Sequence, residues 1–182
     1  MEEKLILVKP DMTMAGEIMD YKREFLEAGS SMDGTTPLRT CETAEEWLEI
    51  IGRLEKPETV PAHWVTSSQY VYLRENDRRI VGMIQLRHEL NDYLYNFGGH
   101  IGYSVRPSER RKGYAGRMLA EFLPICREKR LGRVLITCEV SNEGSRRTII
   151  KNGGVYENTV FEPDEKVNLE RYWIDLQHGR MK

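Results

Sequence analysis

Long apolar runs are missing from this chain of 182 residues, and no stretch approaches the length needed to cross a bilayer, so no membrane partner is expected. Cysteine is scarce. Cys41, Cys126 and Cys138 are odd in number and widely spaced, with no CxxC pair and no histidine at zinc-ligand spacing, which argues against a disulfide framework and a zinc site. The expectation is a reduced, cytoplasmic protein that uses no metal. An excess of one charge is also lacking. The formal net charge is -2 and the isoelectric point about 6.1, so no overall field draws the chain to nucleic acid, and no nucleic-acid partner is expected. The amino-terminal "MEEKLILVKPDMT" puts two acids ahead of a short apolar run and has none of the basic start of a signal peptide. Internal repeats and low-complexity segments are absent. So are GxxxxGK[ST] and GxGxxG, and with them the two common nucleotide-binding loops.

What is present is an ordinary globular balance, with 40% hydrophobic and 31% charged residues, enough for one sizeable core and one domain over 1–182. "KLILVKP" predicts a short strand stopped by Pro10. Asp11 is placed to cap a helix that brings Met14, Ile18, Tyr21, Phe25 and Leu26 to one face and leaves at Gly29. A loop rich in turn formers follows, then a second helix behind Thr43. Residues 67–90 alternate as two strands around a tight turn at 75–78, and "HIGYSV" is a third. A helix over about 114–129 presents Met118, Leu119, Phe122, Ile125 and Cys126, with Pro124 expected to interrupt it. A buried strand "RVLITCEV", a capped helix "SNEGSRRTIIKNGG" and two closing strands complete an α/β order around a mixed sheet.

The chemistry concentrates in "VRPSERRKGYAG", residues 105–116, where a strand passes into a helix. The first N–H groups of a helix lack acceptors and carry partial positive charge, so such a junction attracts anions. Gly113 lets the backbone approach a ligand, Ala115 keeps the next turn slim, and Arg110, Arg111 and Lys112 add charge. Pyrophosphate suits such a cradle.

Arg-x-x-Gly-x-Ala at Arg110, Gly113 and Ala115, after a strand ending at Val105, resembles the acetyl-CoA signature of the GCN5-related N-acetyltransferase (GNAT) superfamily. A second segment, with Asn142, Ser145, Lys151 and Gly153, is similar to that family's next helix, so the resemblance covers 67–176. It implies the acyl-CoA N-acyltransferase fold, a mostly antiparallel sheet of about seven strands flanked by about four helices. It also implies acetyl-CoA as cosubstrate, held by the backbone of Val105 and of the turn through Gly113, Tyr114, Ala115 and Gly116, with Asn142 and Lys151 nearby. Asn142 is equally a plain helix cap, and Lys151 a charge at a helix end.

The implied reaction is direct attack of a primary amine, on a small molecule or peptide, upon the thioester in a ternary complex. The amine needs a base, and Glu139 or His100 are the candidates. The departing thiolate needs a proton, and Ile149 stands where many members of the family carry a tyrosine, so Tyr103 or another tyrosine substitutes as the acid, or the thiolate departs through water. That substitution also motivates an alternative, a non-catalytic acyl-CoA binding or sensing module. The acceptor site is expected from the first two helices, the "SSMDG" loop between them and the closing strands, with Trp64, His88, Asn91, Tyr93 and Tyr95 as contributors. A homodimer is compatible with the sequence.

Overall fold

The computed structural model describes residues 3–177. Strand β1 (Leu5–Val8) ends ahead of Pro10, and the Asp11 carboxylate accepts the Thr13 N–H at 2.8 Å to start a 3-10 turn, Met12–Met14, that runs into α1 (Ala15–Glu27). Ile18, Tyr21 and Phe25 form the buried stripe of α1. Leu26, expected in the core, is 46% exposed because it sits one position beyond that stripe. Helix α2 (Ala44–Leu54) begins as its sequence predicts, with Thr43 Oγ1 accepting the Glu46 N–H at 3.1 Å.

The hairpin β2 (Ser67–Arg74) and β3 (Arg79–Arg87) turns at 75–78, and β4 (Ile101–Val105) pairs with β3. Helix α3 (Tyr114–Glu128) runs without a break through Pro124, which lies on its exposed side. The expected interruption does not occur. Then come β5 (Arg133–Glu139), α4 (Glu143–Lys151), β6 (Val155–Glu162) and β7 (Val167–Asp175).

The seven strands pair antiparallel throughout and divide into two sheets, ordered β1-β2-β3-β4 and β5-β7-β6. Alternation along β2 and β3 covers both faces of the first sheet. Tyr72 and Ile84 pack with Met118, Leu119 and Phe122 of α3, whereas Val71, Leu73 and Met83 pack with Tyr21, Phe25 and Trp47 of α1 and α2. Burying each such side chain contributes roughly 1.5–3 kcal/mol.

The two sheets meet at the root of β4. His100 N–H donates to Leu135 O at 2.7 Å, and His100 Nδ1 accepts the Leu135 N–H at 2.9 Å, so an imidazole stands where a backbone carbonyl would continue the ladder. Gly99 permits this approach. Its φ is +67°, and a Cβ there would lie 2.6 Å from Leu135 O. Beyond this joint no ladder connects β4 to β5 among the described residues.

Candidate active site

The parting of β4 from β5 leaves two walls of unpaired backbone. Successive residues of an antiparallel strand bond alternately to one neighbour and the other. His100 O accepts from Arg87 N at 2.7 Å and Arg106 N donates to Val81 O at 2.9 Å, so the even-numbered residues of β4 bond to β3. The amides of Tyr103 and Val105 therefore face the gap. On the opposite wall, Val140 N donates to Asn168 O at 3.0 Å, which assigns the even residues to β7 and leaves the amides of Thr137 and Glu139 facing β4. Such a slot suits an extended chain with amide groups of its own.

At the carboxyl end of β4 the chain makes a 3-10 turn, Pro107–Glu109, and reaches Gly113, the N-cap of α3, with φ +81°. No side chain caps α3, in contrast to α2 and α4, and the first intrahelical bond is Arg117 N to Gly113 O at 3.2 Å. The N–H groups of Tyr114, Ala115 and Gly116 are thus left without intrahelical acceptors. Nothing lies within 4 Å of where a Gly113 Cβ would sit, so the space before them is open. Donor set and space fit a pyrophosphate.

The cations around this turn divide by role. Lys112 Nζ binds Glu109 Oε2 at 2.7 Å, and Arg110 turns back to Val105 O at 3.2 Å and Ser30 Oγ at 2.8 Å, lying over the Phe25 ring. Arg106 is fully buried against Glu17 and Glu24. Arg111 is exposed, with φ +65°. Tyr114 is buried, its hydroxyl donating to Glu3 Oε2 at 2.5 Å, so it offers a ligand only its backbone. Asn142 Oδ1 accepts the Ser145 N–H at 3.0 Å as the cap of α4, and Lys151 ends that helix, exposed.

Tyr103 and Glu139 lie on opposite faces of the slot. The Tyr103 hydroxyl crosses to the first turn of α4 and meets Ser145 Oγ at 2.8 Å; burial raises its pKa, so it holds its proton. Ile149 is buried against Gly154. Glu139 is exposed, takes a hydrogen bond from Ser141 Oγ at 3.1 Å, and shares its face with Thr137, whose hydroxyl donates to Phe97 O at 2.7 Å. His88 meets Ser68 Oγ at 2.8 Å beside Glu55, and Trp64 is exposed.

His100 is 7% exposed with Trp173 edge-on 6.2 Å away. Burial, assisted by Arg87 and Arg133, lowers its pKa to about 4. The folded state thus keeps it neutral while the unfolded chain takes up a proton near pH 6.5. Its contribution to stability is complete above that value and is lost on acidification toward 4. Between pH 7.5 and pH 5 this amounts to about 2 kcal/mol. Denaturant midpoints across that range should fall steeply in the wild type and less steeply in His100→Asn, whose Oδ1 can replace Nδ1 as acceptor. Equal slopes would refute the assignment.

One residue of the "SSMDG" loop, Asp33, stands at the acceptor side. The loop after α1 lies directly on β4: Ser104 Oγ donates to Asp33 O at 2.7 Å, and a Cβ on Gly34, whose φ is +72°, would lie 2.1 Å from Gly102 O. Gln69 Nε2 donates to Gly34 O at 2.8 Å. The Asp33 carboxylate accepts from Ser31 Oγ at 3.1 Å. Enclosure by the surrounding protein raises its pKa, and the Glu139 charge adds to that, while Ser31 and the Arg87 guanidinium act against it. Arg87 itself donates to Gly98 O at 2.9 Å and Gly99 O at 3.2 Å.

Two sheets parting at an amide-lined slot, with an uncapped helix start at its mouth, make a site with room and donors for an extended, anionic ligand. The comparisons agree. A protein-family model described as "Acetyltransferase (GNAT) domain" matches residues 11–155, and the chain belongs to that family. No curated protein sequence matches significantly.

Among solved structures, the ribosomal-protein-S5-alanine acetyltransferase of Vibrio fischeri is similar, with 16% identity, TM-score 0.76, and 99% of this chain and 97% of that chain covered. An acetyltransferase from Salmonella typhimurium that modifies the N-terminal serine of ribosomal protein L7/L12 is similar at 14% identity, TM-score 0.66 and 96% coverage of both chains. Another Salmonella typhimurium protein, solved with its cofactor acetyl-CoA, shows 14% identity, TM-score 0.62 and 98% coverage of both. This chain is an acetyl-CoA-dependent N-acetyltransferase acting on an amine. Among the described residues no group of three His, Cys, Asp or Glu side chains is placed to hold a metal ion, and no helix is long and apolar enough to cross a membrane.

Proposed function

We propose that the acceptor is the α-amine of a peptide or protein, attacked in a ternary complex with acetyl-CoA. Support for the ternary complex comes from the slot between β4 and β5, where the side chains of Tyr103 and Glu139 lie on opposite faces and offer separate sides for thioester and amine. The likeness to two ribosomal-protein acetyltransferases favours a peptide. In this reading the turn amides from Gly113 to Gly116 hold the pyrophosphate, the gap-facing amides of β4 pair with the coenzyme arm, and the Val105 N–H polarises the thioester carbonyl. Tyr103 lies on the coenzyme face and gives the departing thiolate its proton. Glu139 lies on the opposite face, where its charge draws in the ammonium. His100, with Nδ1 already accepting from Leu135, serves as the joint between the sheets rather than as the base. The whole chain acts as one domain, and its three unpaired, buried cysteines accord with a reducing cytoplasm.

The test is a panel of hexapeptides beginning with alanine, serine or methionine, with spermidine alongside, each incubated with acetyl-CoA while thiol release is followed. Turnover of at least one peptide faster than spermidine is expected. Preference for spermidine would overturn the peptide assignment. Silence across the panel in a protein that binds acetyl-CoA would overturn the proposed reaction course.

A further inference from the structure

The acceptor face offers two carboxylates, and they are not equivalent. Glu139 sits at the exposed end of β5, its carboxylate held among the described residues by Ser141. Asp33 is seated from three elements at once. Ser104 of β4 bonds its carbonyl, Gln69 of β2 bonds the carbonyl of Gly34, and the Tyr21 hydroxyl of α1 meets Ser104 Oγ at 3.0 Å from behind. Gly34 rests on Gly102 backbone to backbone, leaving no room for either residue to shift along β4. Asp33 is nonetheless exposed as a residue and, among the described residues, forms no ion pair; the Arg87 guanidinium, whose charge acts on it, donates instead to the carbonyls of Gly98 and Gly99. Gly102 and Ser104 point to this face, and Tyr103 to the other. A thioester carbonyl lying along β4 would therefore have Asp33 on the side of the incoming amine and Tyr103 on the side of the leaving sulfur.

We propose that Asp33 is the general base of the reaction, taking the proton from the acceptor ammonium, while Glu139 contributes attraction alone. The inference rests on the acetyl-transfer reading above. One N–H bond of the ammonium breaks and its proton passes to a carboxylate oxygen of Asp33. The freed lone pair forms the C–N bond to the acetyl carbon, and the C–S bond breaks. The second N–H proton is lost as the amide forms, the thiolate takes up a proton through Tyr103, and Asp33 returns its own to solvent. The products are the N-acetyl amine, CoA thiol and one released proton.

The experiment compares wild type, Asp33→Asn and Glu139→Gln with each amine of the panel, from pH 6 to pH 10. Asp33→Asn should lower kcat about 100-fold or more at pH 7. Its acetyl-CoA Kd should stay within twofold, and the deficit should shrink steadily toward pH 10, where the amine arrives already neutral. Glu139→Gln should raise KM for the acceptor and largely preserve kcat. Recovery at high pH separates proton removal from a merely structural loss, which persists at every pH. A pH-independent deficit in Asp33→Asn, an undiminished kcat at pH 7, or a larger kcat loss in Glu139→Gln would each overturn the proposal. Absence of thiol release in the wild type itself would instead strike the acetyl-transfer reading beneath it.

Discussion

Replacing Gly113 with valine is expected to raise the Kd for CoA by about two orders of magnitude while leaving the protein folded. At φ +81° an L-residue carries a penalty of roughly 1–2 kcal/mol. Because nothing lies within 4 Å of the Cβ position, that strain is local and the core is untouched. The side chain does, however, fill the space in front of the open amides of α3. Forfeiting one or two hydrogen bonds to a charged group costs about 1.5–3 kcal/mol each, which corresponds to a factor of roughly 10 to 100 or more in affinity. Gly113→Ala isolates the two effects. It bears the penalty of a Cβ at positive φ without β-branching, so its melting temperature should fall less than that of the valine variant and its CoA affinity should lie between valine and wild type. If calorimetry gave alanine, valine and glycine the same Kd, the cradle would not be at Gly113.

Much of the scaffold that builds this cradle is encoded locally. Asp11, Thr43 and Asn142 each accept the backbone N–H that their capping positions imply, and the hairpin turns where alternation breaks. The strand-to-helix junction at 105–116 is legible for the same reason, since it needs only neighbours in sequence. Its charges are not. Lys112 and Arg110 look like ligands in the sequence, yet Lys112 binds Glu109, three residues before it, and Arg110 binds Ser30, a partner that only the folded chain brings near. The joint between the two sheets is equally hidden, because it depends on one imidazole substituting for a carbonyl opposite Leu135. Asp33 lies within a segment that composition marks as a turn. What distinguishes it is its seat on Gly102 and Ser104, about seventy residues further along.

Proton chemistry and stability are coupled through the same cleft. His100 holds the two sheets together only while neutral, so acidification loosens the hinge from which the slot opens. Asp33 must be ionised to accept a proton, and Glu139 opposes its ionisation. Activity and stability should therefore decline together on the acid side, for different reasons that His100→Asn and Asp33→Asn separate.

Removing the carboxylate of Glu109 should cost about 3 kcal/mol of stability, the lower end of the range for breaking a buried ion pair. Glu109 is 6% exposed and binds Arg74 through two hydrogen bonds of 3.1 Å and Lys112 at 2.7 Å, with Arg79 Nε 3.0 Å away as an ion pair without hydrogen-bond alignment. The lower end applies because Arg74 retains Asp77 and Glu3, Arg79 retains Glu24, and Lys112 can turn to solvent. Glu109→Ala should also weaken CoA binding severalfold, since this carboxylate ties the phosphate turn to the β2–β3 hairpin. Glu109→Gln separates anchor from charge. It keeps an acceptor oxygen for the turn but leaves the cations less neutralised, so urea unfolding should show a loss of stability while CoA affinity, measured at low salt, holds or rises. Burial works to raise the Glu109 carboxyl, but Lys112 and Arg74 outweigh it and hold it below the usual range. Its contribution is thus present above ordinary carboxylate pKa values and lost as the pH falls beneath them, a second acid step below the one set by His100. A wild-type stability profile with no such second step, or a Glu109→Gln variant that loses CoA as fully as Glu109→Ala, would show that Glu109 is not the anchor of the turn.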